Sequence, residues 1–323
     1  MKAAQIAAFG GPEQLKLVSN APVPAINDHQ ILIRVKAAGV NPVDTYIRQG
    51  AYSGNFKLPL ILGSDAAGVV EKVGEKVESL KPGDRVFTAR SKLAGSYAEF
   101  AVAEENAAWL LPEQLTFSQG AAIGIPYFTA YRILFQKMHA KAGETVLVHG
   151  ASGACGIATV QIARAFGLTV LGTAGSDEGI AAIKAAGVHH AFNHRTEHYK
   201  EDIKNVVGAK GVNLIVEMLA NVNLQTDIEL VAQNGRIGII GCRGRIEINP
   251  VMLMGKEASV VGVLLSVASD EDMNEMGHVF KAGIENGWLR PVVYREYPLE
   301  KASEAHKELI ATTSAQGKIV LTI

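Results

Sequence analysis

The stretch from Thr145 to Arg164 constrains the fold of this chain more than any other. An apolar strand, Thr145 to His149, runs into Gly150, Ala151, Ser152, Gly153, Ala154, Cys155 and Gly156, and an amphipathic segment follows. Strand, tight glycine turn and helix in that order let a backbone approach a pyrophosphate closely. The free N–H groups and positive dipole end of the helix then stabilise the negative charge. Glycine serves such a turn through its conformational freedom and its lack of bulk. A glycine triplet alone is a weak signal, but flanked by both elements it predicts a dinucleotide site.

The next strand, Thr169 to Thr173, indicates which dinucleotide. An NAD site carries Asp or Glu about 20 residues beyond the turn, where it accepts from the ribose 2′-OH. This chain has Thr173, Ala174 and Gly175 there. With no carboxylate to repel a 2′-phosphate, NADPH is expected. Asp177 and Glu178 read as acids in the first turn of the following helix, where its dipole favours them. Donors to the phosphate are expected at the end of the third strand, from His194 and Arg195. The plainer reading of both is solvated strand-end residues.

Short β-type runs punctuated by Gly, Pro and Asp fill the chain up to about Gly120: Ile31 to Ala38, Ala66 to Glu71, Arg85 to Thr88 and Tyr97 to Val102. They predict a β-rich barrel or sandwich. One helix interrupts them, with Asn41 as cap and Pro42 at its first position, placing Tyr46 one turn in. After Pro126 apolar strands alternate with helices, which predicts a doubly wound parallel sheet. The expected strands are Thr145 to His149, Thr169 to Thr173, His190 to Asn193, Leu214 to Glu217 and Arg236 to Ile240. The expected helices are Ile157 to Phe166, Glu178 to Ala186, Leu224 to Ala232 and Asp270 to Ala282, and Lys318 to Ile323 closes as a strand. The fold class is α/β: a β-rich domain with a Rossmann domain. The boundaries are 1–125, 126–265 and a returning segment, 266–323.

A length of 323 residues suits two domains. Hydrophobic residues at 48% and charged residues at 20% exclude global disorder. The formal charge, 31 − 32 = −1, gives no general attraction to nucleic acid or anionic membrane. Two cysteines, Cys155 and Cys242, make neither a disulfide framework nor a four-cysteine zinc lobe. The start lacks a signal-peptide pattern, and no run approaches the roughly 18 apolar residues of a membrane span. A cytoplasmic protein is expected.

With these segments in view, the chain resembles the zinc-independent quinone oxidoreductases of the medium-chain dehydrogenase/reductase superfamily, and among them the zeta-crystallin-like group. The resemblance covers essentially the whole chain. It is carried by FGGPEQLKL from Phe9, NPVDTYIR from Asn41, GSDAAGVVEKVG from Gly63, KPGDRVFT from Lys81, GAAIGIPYFTAY from Gly120, TVLVHGASGACGIA from Thr145, FNHR from Phe192, EMLANVNL from Glu217, EINP from Glu247 and GWLRPV from Gly287. It implies a GroES-like N-terminal domain to which the C-terminus returns, an inserted Rossmann domain, and a cofactor in the cleft between them. It implies NADPH contacts at Tyr46, Ser152 to Cys155, Gly175, His194, Asn223, Ile240, Gly241, Cys242, Arg243, Val263, Leu264 and Leu265. Relatives usually read Gly-Gly-Val-Gly where this chain has Gly153, Ala154, Cys155 and Gly156. A methyl at Ala154 would crowd the pyrophosphate if that position needs positive φ.

Zinc dehydrogenases of the superfamily carry a catalytic Cys and His where this chain reads Ala38, Gly39, Val40, Asn41 and Gly63, Ser64, Asp65. Neither place offers a thiolate or an imidazole, and His189, His190, His194 and His198 lack a ligand spacing, so no metal is expected. Quinones need less help than alcohols, because reduction makes them aromatic and positioning carries most of the catalysis. Asn41, Tyr46, Tyr52 and Tyr127 are the candidate residues around such an acceptor, with Tyr hydroxyls donating to a developing oxyanion. For Tyr127 packing at a helix start, and for Tyr52 a loop surface, are the plainer readings.

The expected function is thus NADPH-dependent quinone reduction, with ortho-quinones taken to semiquinones implied by the resemblance. The alternatives are an AU-rich RNA-binding or structural crystallin-like role, and an enoyl or alkenal reductase on the same scaffold. A homo-oligomer, dimer or tetramer, is expected. The apolar run Val260 to Leu265 reads as a sheet edge for it.

Overall fold

The computed structural model describes residues 1–52, 56–89, 95–312 and 315–323. Two compact units divide the chain. One comprises Met1–Ile125, Pro291–Thr312 and Gly317–Ile323, and the other is built on Pro126–Arg290.

The first unit is organised around the long strand Gln30–Val40, which pairs antiparallel with Asp65–Val73, Phe100–Glu104 and Lys318–Thr322. Val293–Pro298 extends this sheet at one end, and Arg85–Thr88 then Ala108–Leu110 extend it at the other. A smaller sheet joins Lys16–Val18, Ala3–Ile6 and Leu60–Ile61. Alternation buries Ile31, Ile33 and Val35 against Ala66, Val70 and Val86. The strand expected at Tyr97 to Val102 lies instead at Phe100–Glu104, with only an isolated bridge from Ala98 to Ala3 before it. Tyr97 turns fully inward, where its hydroxyl donates to Asp44 at 2.9 Å.

The second unit holds six parallel strands in the spatial order His190–Asn193, Thr169–Ala174, Thr145–Val148, Val212–Glu217, Val231–Ile239 and Ser259–Gly262. Numbered along the chain this is 3-2-1-4-5-6, the doubly wound dinucleotide-binding order. The order reverses between Thr145–Val148 and Val212–Glu217, so the crevice beyond their carboxyl ends is where ligands of such sheets bind. Helices Ala154–Ala165, Asp177–Ala186, Tyr199–Val207 and Ala220–Leu230 connect the strands.

The returning segment starts at Pro291, not at residue 266 as the sequence suggested. The reason is aromatic packing. Helix Asp270–Glu285 sets Phe280 against Tyr127, Phe128 and Tyr131, with ring centroids 6.1, 4.8 and 6.0 Å apart, and Arg132 pairs with its Asp272 at 2.6 Å. Those contacts hold the helix in the second unit. Among the described residues no helix is long and apolar enough to cross a membrane.

Candidate functional site

The three glycines of the turn do three different things. Gly150 has φ of +56°, a left-handed conformation that other residues adopt only with strain. Gly156 stands in the first turn of helix Ala154–Ala165, where a Cβ would lie 2.5 Å from the Gly150 carbonyl oxygen and 2.6 Å from the Ala151 backbone. Its bareness lets the helix pack on the turn. Gly153 is different: it is extended at φ −72°, and a Cβ there would meet only the Gly150 oxygen, at 3.6 Å. Nothing inside the protein requires that glycine, so the open space in front of it fits a ligand. The helix behind it has no side-chain cap, which leaves its first N–H groups suited to an anion. Ala154 sits in the helix and is not among the described positive-φ residues, so the expected crowding at that position does not arise. Cys155 is half-buried, with its thiol 3.5 Å from the Pro126 carbonyl, as a small packing residue would be.

Gly175 ends the next strand, and its neighbourhood is basic. A Cβ on it would lie 2.8 Å from His194 Nε2 and 3.3 Å from Arg195 Nε. The Arg195 N–H donates to Asn193 Oδ1 at 3.0 Å, which fixes the strand end that presents both side chains. Partial desolvation, then the charges of His149 and Arg195, hold the His194 imidazole below its ordinary pKa. Asp177 and Glu178 do lie in the first turn of their helix, where the Ser176 hydroxyl accepts from Gly179 N–H at 3.1 Å.

A buried polar cluster that the sequence reading missed lies at the strand-order reversal. His149 follows the first strand and donates from Nε2 to Asp227 Oδ1 at 2.9 Å, and Glu217 ends the fourth strand with Oε2 3.8 Å from the same nitrogen. Glu217 Oε1 accepts from the Leu219 N–H and, at 3.2 Å, from the Asn223 amide. Asn223 is therefore held by a buried carboxyl. Gly241 runs so close to Met218 that a Cβ would meet its carbonyl at 2.3 Å. Ile240 is half-buried, Cys242 and Arg243 are exposed, and Arg243 N–H donates to Asn221 Oδ1 at 2.8 Å. Val263 continues the edge strand by donating to the Ile239 carbonyl, Leu264 is exposed, and Leu265 is buried.

In the first unit, the two places that carry zinc ligands in zinc dehydrogenases come together without a metal-ligand set. Asn41 donates its amide to Asp65 Oδ2 at 2.9 Å, while Lys318 Nζ donates to Asn41 Oδ1 and, at 3.2 Å, to Asp65. Asp65 Oδ1 also accepts from the Ile125 N–H at 2.9 Å. All three side chains are buried. Asn41 stands at the N-cap of the helix Pro42–Gln49, as expected, and the Asp44 carboxylate closes a capping box by accepting from the Asn41 N–H at 2.8 Å. One expectation about Asn41 is corrected: its amide donates to Asp65 and, at 3.4 Å, to the Gly39 carbonyl, and its oxygen accepts from Lys318, so the side chain is taken up inside the unit and not by an acceptor molecule.

Tyr46 projects from that helix half-buried, and Tyr52 is half-buried beside the cluster around Ile6, Val40 and Leu62. The helix itself is firmly seated. Arg48 hydrogen-bonds His306 Nδ1 at 3.0 Å, His306 Nε2 meets the Tyr97 hydroxyl at 3.1 Å, and burial pushes Asp44 up to about 7.

Tyr127 leaves the acceptor set. It is 2% exposed, its hydroxyl donates to Gln161 Oε1 at 2.7 Å, and burial pushes its pKa far up. Tyr127→Phe is expected to cost about 1 kcal/mol, because Gln161 Oε1 keeps the Arg290 N–H as donor. Steady-state kinetics should be unchanged, which a melting curve and a rate assay on the same preparation would check.

The comparisons agree with this geometry. Residues 27–113 match the alcohol dehydrogenase GroES-like domain, and residues 154–281 match the family described as zinc-binding dehydrogenase. The chain is 52% identical to a human quinone oxidoreductase and 53% to a mouse one, over all of this chain and 98% of each relative. Among solved structures, an Escherichia coli quinone oxidoreductase complexed with NADPH covers both chains fully at 30% identity with a TM-score of 0.90. An NAD-dependent alcohol dehydrogenase does so at 30% and 0.91, so the fold by itself does not separate the two chemistries. Identity of 52–53% over the whole chain does separate them, and the chain belongs to the quinone oxidoreductases, in the zeta-crystallin-like group of the medium-chain dehydrogenase/reductase superfamily.

Proposed function

We propose that this enzyme reduces quinones with NADPH and needs no metal to do so. The observation that carries the cofactor reading is Gly175, a strand end without a carboxylate whose missing Cβ leaves His194 Nε2 and Arg195 Nε side by side. Two nitrogen donors there suit a 2′-phosphate, and Gly153 with the uncapped helix behind it suits the pyrophosphate. The bound dinucleotide supplies the reducing equivalents. The chain's own residues bind and orient: Asn223 stays in place through Glu217, and Tyr46 and Tyr52 offer hydroxyl donors to the oxygen of the acceptor. The Lys318 ammonium, buried between Asn41 and Asp65, fills the place of a zinc centre with a fixed charge.

The test is nucleotide selectivity. At a ligand concentration of 100 times its Kd, NADPH should stabilise the protein by about 2.7 kcal/mol, and equal NADH by much less. Arg195→Ala should weaken NADPH roughly tenfold to a hundredfold, the value of one charged hydrogen bond, and leave NADH unchanged. Equal losses for both would remove Arg195 from the site. Parallel assays with quinones, enones and simple alcohols separate quinone reduction from alkenal and alcohol chemistry. The finer reading, ortho-quinones taken one electron at a time, is tested by a radical signal during turnover. The alternative of AU-rich RNA binding is tested by filter binding in competition with NADPH.

The assembly proposed is a homo-oligomer. Ser259–Gly262 is one of the two edge strands of the parallel sheet, and Val251, Met254, Val260, Leu264 and Val267 are exposed on and beside it. A second copy that covers these side chains would remove both an apolar patch and an unpaired edge. Cys155 and Cys242 are not in a disulfide, which accords with a cytoplasmic setting.

A further inference from the structure

His149, Glu217 and Asp227 lie at the ends of the two strands that flank the order reversal and on the helix Ala220–Leu230, with one donor atom of each within 4.8 Å of the others. Glu217 and Asp227 are wholly buried. Each has one carboxyl oxygen already satisfied and one, Glu217 Oε2 and Asp227 Oδ2, without a donor. Two buried carboxylates facing one imidazolium would leave a net negative charge in a dry interior, which is costly. A single extra positive charge balances the group. A metal ion is the poorer candidate, because tetrahedral bonds of about 2.0–2.1 Å would spread the ligand atoms to about 3.3 Å. His149 Nε2 and Asp227 Oδ1 are 2.9 Å apart, a hydrogen-bond distance.

The cluster also reaches the two loops read above as nucleotide contacts. His149 Nδ1 lies 3.4 Å from the Thr173 hydroxyl, and that hydroxyl accepts from the Gly150 N–H at 3.2 Å. On the other side Glu217 Oε1 holds the Leu219 N–H and the Asn223 amide. We propose that Glu217 is a positioning residue that shares one proton with Asp227, and that this proton ties the Leu219–Asn223 loop to the glycine turn through Asp227, His149 and Thr173. The inference rests on the nucleotide-binding reading of those loops.

The proton sits on Glu217 and is donated to Asp227 Oδ2, while Asp227 Oδ1 receives the proton of His149. Glu217, Asp227 and His149 then sum to zero charge when the imidazole is protonated. Burial pushes the Glu217 carboxyl up to about 7, with Asp227 adding to the rise and the His149 charge opposing it, while Asp227 outweighs the desolvation that lowers His149 and raises the imidazole. The other titratable groups facing the cluster are Tyr199, from the helix Tyr199–Val207, and His194, from the neighbouring strand end. The sign follows. A carboxyl raised in the folded protein contributes stability that is fully present below its ordinary value of 4.5 and is lost as pH rises through about 7. Nucleotide affinity should fall above about pH 7, where the folded protein loses this proton, because that loss sets Glu217 and Asp227 against each other and places a charge beneath the phosphate turn.

The experiment compares full-length wild type with Glu217→Gln, whose amide can donate to Asp227 and accept from Leu219 without titrating. NADPH Kd, read by nucleotide fluorescence between pH 6 and 9, should rise in wild type by up to about tenfold per unit above pH 7 beyond the rise seen in Glu217→Gln. His194 and the nucleotide phosphate titrate in both proteins, so they cancel in the difference. Infrared difference spectra between pH 6 and pH 8.5 should show in wild type two protonated carboxylic acid carbonyls, one from Asp44 and one from Glu217, and only the first in Glu217→Gln. Parallel pH curves, an acid carbonyl signal that is the same in both proteins, or one equivalent of tightly held metal would each overturn the proposal. The infrared test needs no nucleotide. Failure of NADPH to bind either protein would instead remove the function proposed above.

Discussion

Gly153→Val should fold and melt like the parent while losing at least about a hundredfold in NADPH affinity, and Gly156→Val should lose its fold. The two glycines are three residues apart in one turn, and the contrast between them separates a ligand's requirement from the protein's own. At Gly153 the backbone is extended and the nearest internal atom to a new Cβ is 3.6 Å away, so valine meets nothing inside the chain. It projects into the space that the pyrophosphate would take, and two charge-assisted hydrogen bonds, each about 1.5–3 kcal/mol, would be forfeited. At Gly156 the same Cβ lies 2.5 Å from a backbone oxygen and 2.6 Å from two backbone carbons. Neither can rotate away, so the helix Ala154–Ala165 must leave the turn, at a cost of about 3 kcal/mol or more. Calorimetric titration beside urea unfolding decides it. Retained NADPH binding in Gly153→Val would mean that the phosphate lies elsewhere and that the turn is structural.

The nucleotide half of the molecule was largely legible because its signals are local. Strand, turn and helix from Thr145 to Ala165 follow one another without interruption, and the bare end at Gly175 lies one strand further on. What was not legible depends on distance in sequence. Lys318 meets Asp65 across 253 positions, and Asp227 meets His149 across 78. No periodicity announces such pairs. Asn41 shows the effect most clearly: next to Pro42 it reads as a helix cap and stands at the cap position, but nothing local announces that Asp65 and Lys318 bind its side chain. Tyr127 looks like an available hydroxyl until Gln161 and Phe280 close over it. The helices Tyr199–Val207, Val251–Lys256 and Ala302–Ala311 escaped because their apolar stripes are short, and they are held by packing rather than by strong pattern.

Lys318→Met should cost about 3–5 kcal/mol of stability, although methionine nearly matches the lysine stem in volume. The ammonium is buried at 2% exposure with Asp65 at 0%, and it arrives through a gap that the chain keeps open for it. A Cβ on Gly39 would lie 2.8 Å from Lys318 Cε and 2.3 Å from the Ala121 carbonyl, so that glycine lets the side chain pass beneath the sheet. Without the ammonium, Asp65 would keep, among the described residues, the Asn41 amide and the Ile125 N–H, too little to hold a carboxylate out of water. The double variant Asp65→Asn with Lys318→Met removes both charges and should regain part of the loss. The coupling in that cycle should therefore be about 2 kcal/mol or more. Equilibrium urea unfolding of the four proteins measures it. Additive losses below about 1 kcal/mol would mean that the pair is incidental. In that case the place of the zinc centre is held by apolar packing around Ala38 and Val40, not by a charge.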